Sequence, residues 1–574
     1  MRPANTRITD TTTCTGARGG VRPRVVGGDP RACWRAARAL AALTLLAHPG
    51  LAAMAYASGA VALPSSGPQA HGVTEAPASV SELALDEVLA AAREAAGRDS
   101  WSELAHGLRL TGTTDAGGVD ASFELFLAAD GRYRYALEGQ LGRLVTFDGS
   151  EVAERVRRGP CVALELGDRE GWHLAQWTHS GYWLDPACPL EITLEDETAQ
   201  EVTLLVAFPD SPAPGRLVLD RATWLPQELR QLTLGEDRVT RFERYEPLAG
   251  VALARQVVSE SHGQSIALVV RTAEGAEPDG GARYRRGEAP ASDVRFDPER
   301  GPEVELKRVR SGHLLVHPLV EGRDVGWFIL DSGAGQVCID PKAADALELE
   351  EFGSVPAVGV AGAVSASYRQ GHTLELGPLT LMEPVYVEIE LSFLEPAFGV
   401  EIAGICGYEI FARAIVDLDL EAETLALHDP TTFRLPDEVG EEVWAPLLLD
   451  GHIPSVRCRF EGDREGLFKL DLGDAGTISF YSPAVRELGL LEGRAVEASQ
   501  VGGVGGTGRA SVGDLEWFEV GGHRVAPLRA TFSQTETGAF SSVRALGNLG
   551  TGMLRPFRIV FDYSRSRLAL VPRG

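Results

Sequence analysis

The sequence predicts a mainly β protein: two β-barrel lobes formed by internal duplication, preceded by a helix and an antiparallel half-barrel sheet. Three observations lead there. From residue 306 onward the chain repeats itself, with "GWFILDSGAGQVCIDPKAADALELE" (326–350) answered by "GLFKLDLGDAGTISFYSPAVRELGLLEG" (466–493). Between Leu108 and about Val270, apolar residues fall on every second position in short runs, the period of half-buried strands. One amphipathic helical pattern stands ahead of those runs. With 574 residues the chain has room for about three domains at roughly 150 residues each.

Residues 1–57 read as a signal peptide. Scattered arginines (Arg22, Arg24, Arg31, Arg35, Arg38) precede the apolar run "ALAALTLLA", and "AAMAYASGA" supplies Ala55-Tyr56-Ala57 as the cleavage motif. The run is short for a membrane span of about 20 residues, and no cysteine follows the cleavage site to carry a lipid anchor. The expectation is a periplasmic or secreted protein. Residues 58–80, rich in Pro, Ser, Ala and Gly, form a tether. The helix follows in "SVSELALDEVLAAAREA", with Leu83, Leu85, Val88 and Leu89 on its apolar face and Ser79 or Ser81 as cap. Alternating runs such as "SFELFLAADGRYRYAL", "EVTLLVAF" and "SIALVVRT" come next, separated by turn pairs Asp130-Gly131 and Ala249-Gly250. Residues 81–275 thus make one β-rich domain, and 276–305 a linker.

The two copies of the repeat span 306–430 and 431–574. Asp331 and Asp471 lie 140 positions apart, and Gly407 and Gly550 lie 143 apart, as do Asp419 and Asp562, so one register holds with only small insertions. In each copy an apolar strand delivers Asp-X-Gly, followed by a strand and a short helix. Asp340-Pro341 and Ser482-Pro483 supply the helix caps and first helical residues. Next comes a Gly-rich hairpin, "AVGVAGAVSASY" or "QVGGVGGTGRAS", then an apolar-Gly-x-x-Gly turn and the strand "IVDLDL" or "IVFDYS". A rigid strand ending in Asp, with Gly permitting a tight turn, leaves the carboxylate at a lobe boundary. Two lobes about a pseudo-twofold axis bring Asp331 and Asp471 together, where they cannot both ionise readily. One member then activates a water while the other protonates a carbonyl oxygen. Asp419 and Asp562 precede exposed turns and read as structural, while Asp417 and Asp340 read as surface or capping acids.

Residues 306–574 resemble the retropepsin-like aspartic proteases, in the bacterial form with two lobes on one chain. The matching residues are Leu330-Asp331-Ser332-Gly333-Ala334 and Leu470-Asp471-Leu472-Gly473. Gly404-Ile405-Cys406-Gly407-Tyr408 and Gly547-Asn548-Leu549-Gly550 correspond to the family's apolar-Gly motif behind each aspartate. The resemblance implies Asp331 and Asp471 as catalytic pair, supported by Ser332, Gly333, Ala334, Leu472 and Gly473. It implies flaps over the substrate at 359–364 and 502–507, through Gly359, Gly362, Gly502 and Gly505. It further implies an exported endopeptidase of peptide or protein substrates, with no cofactor and no metal, acting as a monomeric pseudo-dimer. In the family a Ser or Thr follows each catalytic Asp and bonds across to the other lobe; Ser332 fits and Leu472 does not. Asp474 adds a third carboxylate, which near the pair would push activity toward acid pH and otherwise points to solvent or accepts turn amides. The alternative on the same fold is a weak or inactive peptide-binding or scaffolding protein. Residues 81–275 resemble the periplasmic lipoprotein-carrier fold in "DGRYRYALEGQLGRLVTFDGSEV", "WTHSGYWLDP" and "GRLVLDRATWLPQEL". That likeness implies lipid or lipoprotein as a partner of this domain.

Composition removes other classes. A formal charge of −27 argues against nucleic acid or an anionic membrane, which need a basic surface. "GVGGTG" (503–508) fits a dinucleotide fingerprint literally but leads into the strand "DLEWFEV" rather than a helix. The histidines are dispersed, with no zinc-like spacing. Beyond the cleavage site remain Cys161, Cys188, Cys338, Cys406 and Cys458, an odd set that excludes full pairing. Cys161 and Cys188 lie in one region, and the sequence leaves open whether an oxidising compartment joins them; the other three read as buried thiols.

Overall fold

A computed structural model describes residues 46–47, 83–209, 211–287, 290–435 and 443–573. The segments read as signal peptide and tether, with Ser79 and Ser81, therefore lie outside the described residues apart from 46–47. The amphipathic helix runs Leu85–Ala95 with Ala84 as its N-cap, and Glu87 Oε2 accepts from the Ala84 N–H at 3.4 Å. Among the described residues no helix is long and apolar enough to cross a membrane.

The alternating runs fold into one antiparallel sheet of thirteen strands. The chain lays it down in two passes, from Leu108–Asp115 outward to Cys161–Ala163, then from Glu191–Glu197 back to Gln264–Gly275, which pairs with Leu108–Asp115. Between the passes the chain crosses from one edge to the other as the helix Leu166–Ser180. Trp172 and Trp177 of that helix pack with Leu125, Tyr133 and Tyr135 of the sheet. Its Leu174 packs with Val88 and Ala92 of the first helix and with Leu204 and Leu217. Alternation did not predict this helix, because buried Glu170, His173 and Gln176 interrupt its apolar stripe. Cys161 and Cys188, whose pairing the sequence leaves open, are separate thiols, as are Cys338, Cys406 and Cys458. The linker is docked rather than loose: Val294–Phe296 pairs with Leu379–Met382, and buried Asp293 takes Arg413 Nε and Nη2 at 2.9 and 2.6 Å.

In the first copy of the repeat, Trp327–Leu330 runs parallel to Ile402–Cys406, which also pairs antiparallel with Cys338–Ile339. In the second, Arg464–Leu470 runs parallel to Gly547–Leu549, which pairs antiparallel with Ile478–Phe480. The expected pair of closed β-barrels is absent. The two sheets, of nine and ten strands, are open, and so is the N-terminal sheet. The hairpin Val496–Gly503/Gly506–Leu515 ends one sheet, and in the other Leu46–Ala47 pairs along the outer strand of the hairpin Glu350–Val358/Ala363–Gln370, so the two edges of each sheet stay apart among the described residues. The late strands Ile415–Asp419 and Phe557–Asp562 instead pair with each other across the halves in a six-stranded sheet. One apolar core serves both halves, containing Phe328, Leu330, Phe468, Leu470 and Phe561 together.

The helix caps differ between copies. Asp340 Oδ1 accepts from the Lys342 N–H at 3.0 Å, as expected. Ser482 is itself helical behind the N-cap Tyr481, and its hydroxyl donates to the Phe540 carbonyl at 3.3 Å.

Candidate active site

Each acid stands one residue past a buried strand, and the parallel neighbour fixes its backbone. The Asp331 N–H donates to the Cys406 carbonyl and the Asp471 N–H to the Leu549 carbonyl, both at 3.0 Å. Behind the two turns the chain passes too closely for any side chain. A Cβ on Gly407 would lie 2.4 Å from the Gln336 carbonyl oxygen, and one on Gly550 would lie 2.4 Å from that of Gly476. Gly404 and Gly547 occupy the strands leading into these turns. The sequence-expected motif residues therefore form the wall against which each acid turn rests.

The structure brings Asp331 and Asp471 together, both fully buried. A Cβ on Gly333 would fall 2.4 Å from Asp471 Oδ1 and 3.1 Å from Asp331 Oδ1, so this glycine lets the second acid reach the first. The Gly333 N–H donates to Asp331 Oδ1 at 2.7 Å, and the Gly473 N–H to Asp471 Oδ1 at 2.9 Å. Among the described residues no donor reaches Asp331 Oδ2. Burial pushes the Asp331 carboxyl up to about 7, against the opposing hydrogen bond from the Gly333 amide. Asp471 is held differently, because Asn548 Nδ2 donates to its Oδ2 at 2.6 Å while the Tyr481 hydroxyl donates to Asn548 Oδ1.

Ser332 carries the cross-brace alone. Its hydroxyl donates to the Leu470 carbonyl at 2.8 Å and accepts from the Leu472 N–H at 3.1 Å. The Leu472 side chain is fully buried in the shared apolar core. Its main chain thus receives the brace even though its side chain cannot return it. Ala334 closes the first turn, its carbonyl accepting from the Tyr408 N–H at 2.9 Å. Asp474 does not face solvent: it is buried, with Oδ1 accepting from the Gly476 N–H at 2.7 Å and Oδ2 from the Ser479 hydroxyl at 3.1 Å. Burial pushes its carboxyl up to about 6 in spite of those donors. Asp419 and Asp562 accept from turn amides of Glu421, Ala422 and Arg565, as structural acids do.

The two Gly-rich hairpins meet at their tips. A Cβ on Gly359 would lie 1.9 Å from the Val504 carbonyl oxygen, and one on Gly505 would lie 2.3 Å from that of Gly362. Val504, just beyond Gly502 and Gly503, packs in the apolar cluster that holds Leu315, Ile329 and Ala334. Val358 and Val360 of the other hairpin pack with Val501, Tyr481 and Phe540. The tips of the two hairpins therefore touch each other, and one of them packs among apolar residues that include Ala334 of the first acid turn. Beside them opens a groove of about 850 Å³ lined by residues that include Ser365, Glu390, Phe393 and Thr507.

Sequence reasoning missed Asn548, Tyr481 and His452. A polar Asn between Gly547 and Leu549 of an otherwise apolar strand was the available signal for the first; the others gave none. Among the described residues no cluster of metal-ligating side chains occurs.

Residues 316–410 match the family model described as "Aspartyl protease". That stretch contains Asp331 and the first hairpin, and ends before Asp471. No curated protein matches the chain. Among solved structures, a LolA superfamily protein from Nitrosomonas europaea is similar at 10% identity over 32% of this chain and 94% of its own, with TM-score 0.26. A DUF1329 family protein from Desulfovibrio piger is similar at 10% identity over 33% and 97%, with TM-score 0.24. Likenesses this remote carry no argument about this chain.

Proposed function

We propose that the chain is an aspartic-type peptidase in which Asp331 and Asp471 hydrolyse a peptide bond through a water. The observation that carries this reading is the pair itself: two buried carboxyls that meet beside Gly333, one pushed up to about 7 and the other held by an amide donor. Asp331 enters with the proton and Asp471 with the charge, since donors such as Asn548 favour a charged carboxylate. Asp471 takes a proton as the water oxygen bonds to the carbonyl carbon, and Asp331 gives its proton to the carbonyl oxygen. As the resulting diol collapses, the C–N bond breaks, the nitrogen takes the proton from Asp471, and Asp331 regains one from the diol. The substrate is an extended peptide lying under the hairpins, whose tips part to admit it. The family match at 316–410 supports the lineage, and the leader-like first 57 residues support export.

The test is cleavage of an unfolded protein by the full chain at acid pH. Asp331→Asn and Asp471→Asn, made separately, are each expected to abolish it. Equal cleavage by wild type and both variants would end the proposal, and binding without cleavage by wild type would favour a peptide-binding protein on the same scaffold.

A further inference from the structure

The Asp331 turn is gripped on its outer side by the N-terminal sheet, and the grip runs through one histidine. His452 sits at the tight turn between Leu448–Asp450 and Ile453–Phe460, almost wholly buried. Its Nδ1 lies 3.4 Å from the carbonyl oxygen of Gly335, at the end of the Asp331-Ser332-Gly333-Ala334-Gly335 turn. Its ring stacks on Tyr408 with centroids 3.9 Å apart and planes at 12°. Tyr408 is the residue whose N–H holds the Ala334 carbonyl. One imidazole thus backs the acid turn at two consecutive residues.

What holds the imidazole comes from some 300 residues earlier. Glu154, on the strand Val152–Val156 of the thirteen-stranded sheet, is fully buried and places Oε2 2.6 Å from His452 Nε2. Its other oxygen takes Arg143, and together Arg143 and His452 hold the carboxyl below its usual range although burial pushes it up. The helix Leu166–Ser180 holds the turn that carries His452, Asp168 Oδ2 accepting from the Gly451 N–H at 2.6 Å. A buried carboxylate with two charged or polar partners is costly to disturb on either side. The Asp471 turn is held from within its own half, Asn548 Nδ2 donating to Asp471 Oδ2 at 2.6 Å.

We propose that Glu154 is a positioning residue for the Asp331 turn, acting through His452, so that the N-terminal sheet completes the first half of the site. The consequence for turnover rests on the peptidase reading; the mechanical coupling does not. In this arrangement the peptidase half is incomplete when separated from residues 83–287. The two halves of the site are also unequal, the Asp331 turn being anchored from outside and the Asp471 turn from within by Asn548.

The experiment is amide hydrogen exchange read by mass spectrometry on the full chain, comparing residues 331–337 with residues 471–477. Glu154→Ala is expected to speed exchange in 331–337 by about tenfold, the worth of one lost buried hydrogen bond, while leaving 471–477 unchanged. Glu154→Gln keeps an acceptor for His452 and is expected to restore most of the protection. His452→Phe keeps the ring on Tyr408 and removes both polar contacts, and is expected to reproduce Glu154→Ala; it decides the matter if Glu154→Ala fails to fold. In cleavage assays kcat is expected to follow the exchange, with KM unchanged. Unchanged exchange in 331–337, or equal loosening of both turns, would overturn the proposal. An inactive wild type would remove the peptidase reading yet leave the exchange comparison decisive.

Discussion

Asp331→Asn is expected to stabilise the protein, and to do so more as the pH rises. The Asp331 carboxyl moves from an ordinary 3.8 to about 7 on folding because burial penalises its charge. Between these values the folded state holds a proton that the unfolded state has released. Stability contributed by the neutral carboxyl is therefore complete below about pH 4 and is lost progressively as the pH climbs to about 7. Three pH units at 1.36 kcal/mol each make the loss about 4 kcal/mol at and above pH 7. The substituted asparagine carries no such charge, and its amide oxygen can keep the Gly333 N–H that now reaches Asp331 Oδ1. Urea unfolding of wild type and variant from pH 4 to pH 8 measures the difference directly. The two are expected to coincide near pH 4 and to separate by up to about 4 kcal/mol by pH 7. Parallel curves across that range would refute the assignment of the raised carboxyl to Asp331.

Two further substitutions test the supports of the pair. Ser332→Ala removes both the donor to the Leu470 carbonyl and the acceptor of the Leu472 N–H; a loss of about 1–3 kcal/mol in urea unfolding and about tenfold or more in kcat is expected, and an unaltered kcat would show that the brace is dispensable. Gly359→Ala would place a methyl 1.9 Å from the Val504 carbonyl oxygen, so the hairpin tips must separate. Exchange of the Ala539 amide, which donates to the Gly359 carbonyl, is then expected to quicken by about tenfold, and unchanged exchange would mean that the tips do not hold each other.

The repeated Asp-X-Gly stretches were legible because one register carried three landmarks, and the structure places both acids against the apolar-Gly turns as that register requires. The two Gly-rich hairpins were legible for the same reason. Closure was not: whether a sheet curls into a barrel depends on which late strands pair, and Ile415–Asp419 chose Phe557–Asp562 of the other half. The helix Leu166–Ser180 escaped because its polar positions are buried against the sheet rather than exposed. Leu472 looked like a lost function, since sequence displays its side chain and not its N–H, which does receive the Ser332 hydroxyl. The contact from Glu154 to His452 spans 298 positions and leaves no local pattern in either segment.

The most direct test of the central claim is the pH–rate profile of peptide cleavage by the full chain, measured beside Asp331→Asn and Asp471→Asn. If Asp331 acts as the acid, cleavage by wild type holds from mildly acidic pH up to about 7 and falls above it as that proton is lost. Each Asn variant is then about a hundredfold or more slower at every pH. Cleavage that rises steadily above pH 7, or that survives in either variant, would contradict the assignment of this pair as the site of hydrolysis.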